Sequence, residues 1–310
     1  MTSAIIVGSR GAGLTTFVGL LYTAQVRLAT EEDGDASFRF HAPRETLRHL
    51  EAIYGELGAG RFPTRDVDFE EHSLSFVLNI PRRRALPWPR GGGSSPSSIR
   101  IGGVTTEELA ELRAHESVVG KSTRLLYHSP VVILLVDAGR LRCEADGPVG
   151  PFFSENDAQL AATLEVLGRY LSTEPKRNAR TMHPLFVLTK LDRCPAAALA
   201  RLHLPTGPVA GWSENDRQRV GQNALASYLP ETGRWLSQAA GGRGGSVPVA
   251  PPRWYFSSLR IEAGEGSPRI ARRSRFPAGS WEPEYPYEEY RALIEHLGEL
   301  SQRLPDVGES

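Results

Sequence analysis

Cysteine is scarce in this chain, with Cys143 and Cys194 the two in 310 residues. Two thiols without metal-ligand spacing suit a reducing compartment and exclude a disulfide-stapled scaffold. Long apolar runs are missing too: the longest, residues 131–136, falls far short of the roughly 18 residues that a membrane span needs. No direct membrane insertion is therefore expected. The first residues lack the basic-then-apolar pattern of a secretory leader, which makes a cytoplasmic protein the expectation. Excess charge of either sign is also absent, since Lys plus Arg and Asp plus Glu both total 36. No global field draws the chain to nucleic acid, and no nucleic-acid partner is expected. The eight histidines show no zinc-site spacing, so none is assigned to a metal.

What is present reads as one α/β domain across residues 1–310 with long insertions. Ala4-Ile5-Ile6-Val7 is a β-branched apolar run that predicts a buried strand, and glycines at 8, 11 and 13 predict a turn after it. Phe17, Val18, Leu21 and Val26 then recur at helical spacing. A second helix starts near Pro43, with Leu47, Leu50, Ile53, Tyr54 and Leu57 on one face, and stops at Gly58 and Gly60. Residues 73–80 alternate as a half-buried strand, and 99–101 supply a short hairpin partner. Residues 82–98, with Arg82, Arg83, Arg84 and a Pro-Trp-Pro run, lack the composition of a packed core and read as a flexible loop insertion.

Residues 131–136 and 185–188 predict strands buried on both faces, as in a parallel sheet, with a helix over 158–171 between them. Residues 195–252 read as an insertion carrying one convincing helix, over 217–229. Trp254-Tyr255-Phe256 forms the last strand, and residues 287–304 a terminal amphipathic helix. The aromatic, proline-rich stretch 281–287 either packs against that helix or meets a partner. The sum is a three-layer sandwich around a mainly parallel sheet with one antiparallel hairpin strand.

Two segments point to chemistry. Gly8-Ser9-Arg10-Gly11-Ala12-Gly13-Leu14-Thr15, followed by Thr16, has the Walker A spacing of a P-loop, except that Leu14 stands where lysine belongs. In such a loop the backbone N–H groups cradle phosphates and the terminal hydroxyl binds Mg²⁺, which makes Thr15 a metal candidate. The alternative is a plain glycine turn feeding a helix. Thr189-Lys190-Leu191-Asp192 follows a buried strand. An aspartate there can accept from the guanine N1–H and exocyclic amine, a donor pair adenine lacks, while the lysine stem lies along the ring. The competing reading is an ordinary charged loop.

With these motifs the chain resembles the TRAFAC-class Ras-like GTPase superfamily, in its bacterial double-GTPase-like branch. The resemblance spans nearly the whole chain. It implies a P-loop NTPase sheet, GTP or GDP with Mg²⁺ as ligands, and a protein partner. It also implies that Gly60-Arg61-Phe62-Pro63-Thr64 stands at the switch I position, with Thr64 as a second Mg²⁺ candidate, and that Ser257-Ser258-Leu259 forms the loop reaching the guanine O6. Thr64 has the competing reading of a turn residue.

The departures from that family are specific. Leu14 removes the phosphate lysine, and Arg10 fills a position such enzymes keep as glycine. Gly102-Gly103-Val104-Thr105-Thr106-Glu107 lacks the aspartate expected at switch II. Asp137, after the next strand, takes the place of a structural aspartate. No catalytic residue is assigned. Three readings follow: a pseudo-GTPase serving as a regulatory or scaffolding subunit of a bacterial multiprotein system, an active GTPase using Arg10 or the Arg82–84 run in place of lysine, and a nucleotide-free interaction module.

Overall fold

The structure, a computed structural model, describes residues 2–31, 39–64, 76–80, 97–114, 129–140, 151–172, 181–194, 196–204, 212–240, 247–263, 268–274 and 281–304. Of the loop expected over 82–98, residues 82–96 with the three arginines lie outside these residues, as do 73–75 of the expected hairpin, while Ser97 and Ser98 are not loop but the start of a strand paired with Ile80 and Asn79.

Five strands run parallel: β1 (Thr2–Gly8), β4 (Ser97–Thr105), β5 (Val131–Asp137), β6 (His183–Thr189) and β7 (Arg253–Phe256). Two more, β2 (Arg39–His41) and β3 (Phe76–Ile80), pair antiparallel with each other, and β3 pairs antiparallel with β4. The sheet order is β2-β3-β4-β1-β5-β6-β7. The predicted hairpin is present, with Leu78 opposite Ile99 and Phe76 opposite Ile101.

Side chains alternate between the two faces of the sheet, because successive residues of a strand point in opposite directions. Ala4, Ile6, Ile133, Leu135, Leu185 and Val187 join one core, while Ile5, Val7, Val132, Leu134, Phe186 and Leu188 join the other. That is why these runs read as continuously apolar. The first core is covered by α1 (Leu14–Glu31), α2 (Arg44–Gly58) and the last helix, α8 (Tyr287–Arg303). Leu293, Ile294 and Leu297 of α8 are fully buried, each stabilising by roughly 1.5 to 3 kcal/mol. The second core is covered by α4 (Pro151–Ser172), α5 (Ala196–Arg201), α6 (Glu214–Ser227) and α7 (Pro230–Ala240). The chain is thus a three-layer α/β sandwich.

Residues 195–252 hold more order than the sequence suggests. Besides the expected helix, α6, they form α5 and α7, and all three pack into the second core. Ser213 opens α6 with a capping box to Asp216, which satisfies exposed N–H groups of the first turn. α3 (Thr106–Ala114) was likewise unexpected. Between β7 and α8 the chain adds two small ribbons, β8 (Ile261–Glu262) with β9 (Arg269–Ile270) and β10 (Arg272–Ser274) with β11 (Trp281–Pro283). In the expected aromatic stretch at 281–287, Tyr287 is buried in the core that α8 covers while Trp281 is 49% exposed beneath Arg272. No helix among the described residues is long and apolar enough to cross a membrane.

Candidate functional site

In open α/β sheets a ligand binds beyond the carboxyl ends of the strands, where the strand order reverses. Here the chain leaves β1 for β4 on one side, then crosses to β5 on the other. A cleft of about 710 Å³ opens at that edge, a volume suited to a small-molecule ligand. Its walls come from the segments that follow β1, β4, β6 and β7, together with Phe62 and Pro63.

The loop after β1 forms the floor. Gly11 and Gly13 have φ of +80° and +89°, a left-handed backbone that residues with a Cβ resist. Ala12 N–H donates to the Ser9 carbonyl at 2.8 Å, closing the turn, and Phe17 N–H donates to Gly13 as α1 begins. Leu14, Thr15 and Thr16 line the cleft from the first turn of α1. Leu14 also packs against the first core, so the lysine position is filled by an apolar side chain continuous with the interior.

The segment after β6 is tied to this loop. Thr189 Oγ1 donates to the Ala12 carbonyl at 2.8 Å and lies 3.2 Å from that of Val136. Lys190, at φ +55°, donates from Nζ to the Gly11 carbonyl and to Asp137 Oδ2, the latter at 2.7 Å. Asp137 is almost wholly buried, and it also accepts Gly139 N–H at 3.0 Å and pairs with Arg140 at 3.3 Å. Its carboxylate thus positions Lys190 from behind the loop.

Asp192 is tied in turn to the segment after β7, with Oδ1 accepting Leu259 N–H at 3.1 Å. Leu191 N–H donates to the Ser257 carbonyl, and the Ser257 hydroxyl bonds the buried Tyr290 hydroxyl of α8 at 2.6 Å. Ser257 therefore anchors the segment, while Ser258 and Leu259 face the cleft beside Asp192. The end of β7 is held by Glu289, which takes a bidentate bond from Arg217 (2.8 and 3.1 Å) and accepts Phe256 N–H. Burial pushes the Glu289 carboxyl up, against the pull of Arg217.

The structure thus brings the loop at 8–16, residues 189–192 and residues 257–259 around one cleft. Thr64 is placed differently. Its N–H and hydroxyl both donate to the Glu56 carboxylate of α2, so it turns back to the preceding helix while Phe62 and Pro63 line the cleft.

Thr105, Glu107 and Glu108 also line the cleft and were not expected as site residues. Thr105, opposite Gly8 in the sheet, caps α3, and the Glu108 carboxylate accepts its N–H in return. One position earlier, Glu107 Oε1 accepts Arg10 N–H at 3.3 Å. Both carboxylates line the cleft. The Thr105-x-x-Glu108 capping pattern was the signal that could have found α3.

Among the described lining residues the formal charges balance: Arg10, Lys190 and Arg193 against Glu107, Glu108 and Asp192. Mg²⁺ takes about six oxygens in near-octahedral array. Thr15 offers one hydroxyl, Glu107 and Glu108 each accept a backbone N–H, and no group of three His, Cys, Asp or Glu among the described residues is placed to hold a metal. Mg²⁺ is usually held by one or two protein groups together with substrate phosphates and waters, and Thr15 is the hydroxyl that would join such a shell. A scan against protein-family models finds none that matches the chain, and a search of curated proteins finds no match.

Proposed function

We propose that this chain is a pseudo-GTPase of Ras-like P-loop fold, which binds GTP or GDP without efficient hydrolysis. Its role is that of a regulatory or scaffolding subunit in a bacterial multiprotein system, acting on a protein partner. The observation that carries this reading is the junction of Asp192 with the Leu259 amide beside the glycine loop. The Leu259 amide holds the Asp192 carboxylate at the cleft, and a carboxylate there has acceptor capacity left for the guanine N1–H and exocyclic amine, a donor pair that adenine lacks.

The sheet order supports the fold, with one antiparallel hairpin outside β1 and the glycine loop at the reversal point. The phosphate end supports slow or absent turnover. Phosphoryl transfer is driven by placed cations and Mg²⁺, and a single arginine finger contributes about 10³ to 10⁵ in rate. Leu14 supplies no cation, and Thr105 occupies the strand end where the family resemblance implies the switch II aspartate.

Arg10 lines the cleft, and it is the residue on which a second reading, an active GTPase with a substituted cation, would rest. The test is to denature the purified protein, identify released nucleotide by chromatography, and follow GTP turnover in wild type and Arg10→Ala. Guanine nucleotide without turnover is the expected result. Turnover lost in Arg10→Ala would establish the enzyme instead, and failure to bind any nucleotide would leave an interaction module.

A further inference from the structure

We infer that Glu107 makes this cleft selective for guanosine diphosphate over the triphosphate, by holding a carboxylate where a third phosphate would lie. The inference rests on the guanine-nucleotide reading above.

The order of strands orients the ligand. The base-reading groups follow β6 and β7, the glycine loop follows β1, and Glu107 follows β4, on the far side of β1 from β6 and β7. A nucleotide whose base meets Asp192 lays its phosphates toward the loop N–H groups at the start of α1, where such groups and the helix dipole favour anions. Its terminal phosphate points away from β6 and β7, toward β4. Glu107 stands at that end, with Oε1 3.3 Å from the Arg10 N–H.

The carboxylate therefore has two effects on a third phosphate. It occupies a backbone donor that an anion would use, and it sets a negative charge against the incoming one. Of the described cations near the loop, Lys190 is engaged by Asp137 and the Gly11 carbonyl and Arg140 pairs with Asp137, Leu14 is uncharged, and the Arg10 guanidinium is a cation that shares the cleft with Glu107. Glu107 is itself held, since Thr106 Oγ1 donates to its other oxygen at 3.1 Å. A diphosphate ends before this contact and leaves it intact.

The experiment titrates fluorescently labelled GDP and GTP, without Mg²⁺, into wild type, Glu107→Gln, Glu107→Ala and Glu299→Gln. Glutamine keeps an acceptor for Arg10 N–H but removes the charge. Glu299 lies on α8 and controls for net charge. Like-charge contacts cost enough that wild type should bind GDP at least about tenfold more tightly than GTP. Both Glu107 variants should reduce that ratio to within about threefold, and Glu299→Gln should leave it unchanged. Equal wild-type affinities, a wild-type preference for GTP, or a ratio unmoved by both Glu107 variants would overturn the inference while guanine binding stands. Binding of neither guanine nucleotide by any of the four proteins would overturn it together with the reading beneath it.

Discussion

Lys190 sets its ammonium nitrogen 2.7 Å from Asp137 Oδ2 and donates also to the Gly11 carbonyl, so one cation joins the ends of β5 and β6 to the glycine loop. Asp137→Ala leaves that half-buried cation without its carboxylate. It should cost about 2 kcal/mol in urea unfolding, in line with hydrogen bonds to charged groups, and should weaken guanine-nucleotide binding because Lys190 loses its orientation. Unchanged stability and unchanged affinity would show that Asp137 does not position Lys190.

Leu14→Lys restores a cation without altering the glycines around it. Because the leucine already lines the cleft as well as touching the core, a lysine there can extend its stem along the same path and put its ammonium among the phosphates. Affinity for GDP should rise by about tenfold or more in isothermal titration, the return of one charge-assisted contact. No gain would mean that the loop does not receive phosphates.

Arg217 and Glu289 form a buried ion pair that joins α6, β7 and α8. Removing one partner strands the other, so Glu289→Ala should destabilise by about 3 to 5 kcal/mol. The double change Arg217→Met with Glu289→Leu should recover most of that loss in urea unfolding. If the double variant is as unstable as Glu289→Ala, the pair does more than satisfy itself.

His296 governs an acid-side loss of stability. Its ring is buried with Nδ1 2.8 Å from the Tyr255 hydroxyl, and burial, with Arg253, His183 and Arg303 adding to it, pushes its pKa down to about 3. An unfolded histidine titrates near 6.5, so between pH 6.5 and 3 the unfolded chain takes up a proton that the folded chain refuses. Stability therefore falls as pH falls, by up to about 1.4 kcal/mol per pH unit from this residue. His183, lowered by burial and Arg303, acts in the same direction. Urea unfolding at pH 7.5, 6 and 5 should show this slope in wild type and a markedly smaller one in His296→Gln. Equal slopes would exclude His296 as the cause.

The strand, glycine loop and helix from Thr2 to Glu31, the strands β5 and β6 and the helix α8 were legible because local pattern and tertiary burial agree there. Apolar runs buried on both faces belong to central parallel strands. β2, three residues long, carries no local signal and exists through its pairing with β3. α7 escaped notice although Pro230 opens it, since its helical face is short and lies in a glycine- and proline-rich region. Of the candidate site, residues 189–192 were readable from their place after a buried strand, whereas 257–259 came only from the family resemblance. The contact between Glu107 and Arg10 was not, because it joins positions 97 residues apart and depends on where α3 starts. Thr64 was drawn toward the cleft by resemblance, whereas Glu56, eight residues before it, holds it on α2.

The measurement that bears most directly on the central claim is calorimetric titration of GDP and ADP into wild type and Asp192→Ala. Asp192 lines the cleft and accepts the Leu259 N–H at 3.1 Å, and on the proposed reading its carboxylate accepts from two guanine donors that adenine lacks. The account predicts that wild type binds GDP and discriminates against ADP by at least about a hundredfold, as sites built to pair a buried hydrogen-bonding group can. Asp192→Ala should lose GDP binding while the protein remains folded. Equal affinity of wild type for GDP and ADP, or GDP binding that survives Asp192→Ala undiminished, would contradict it.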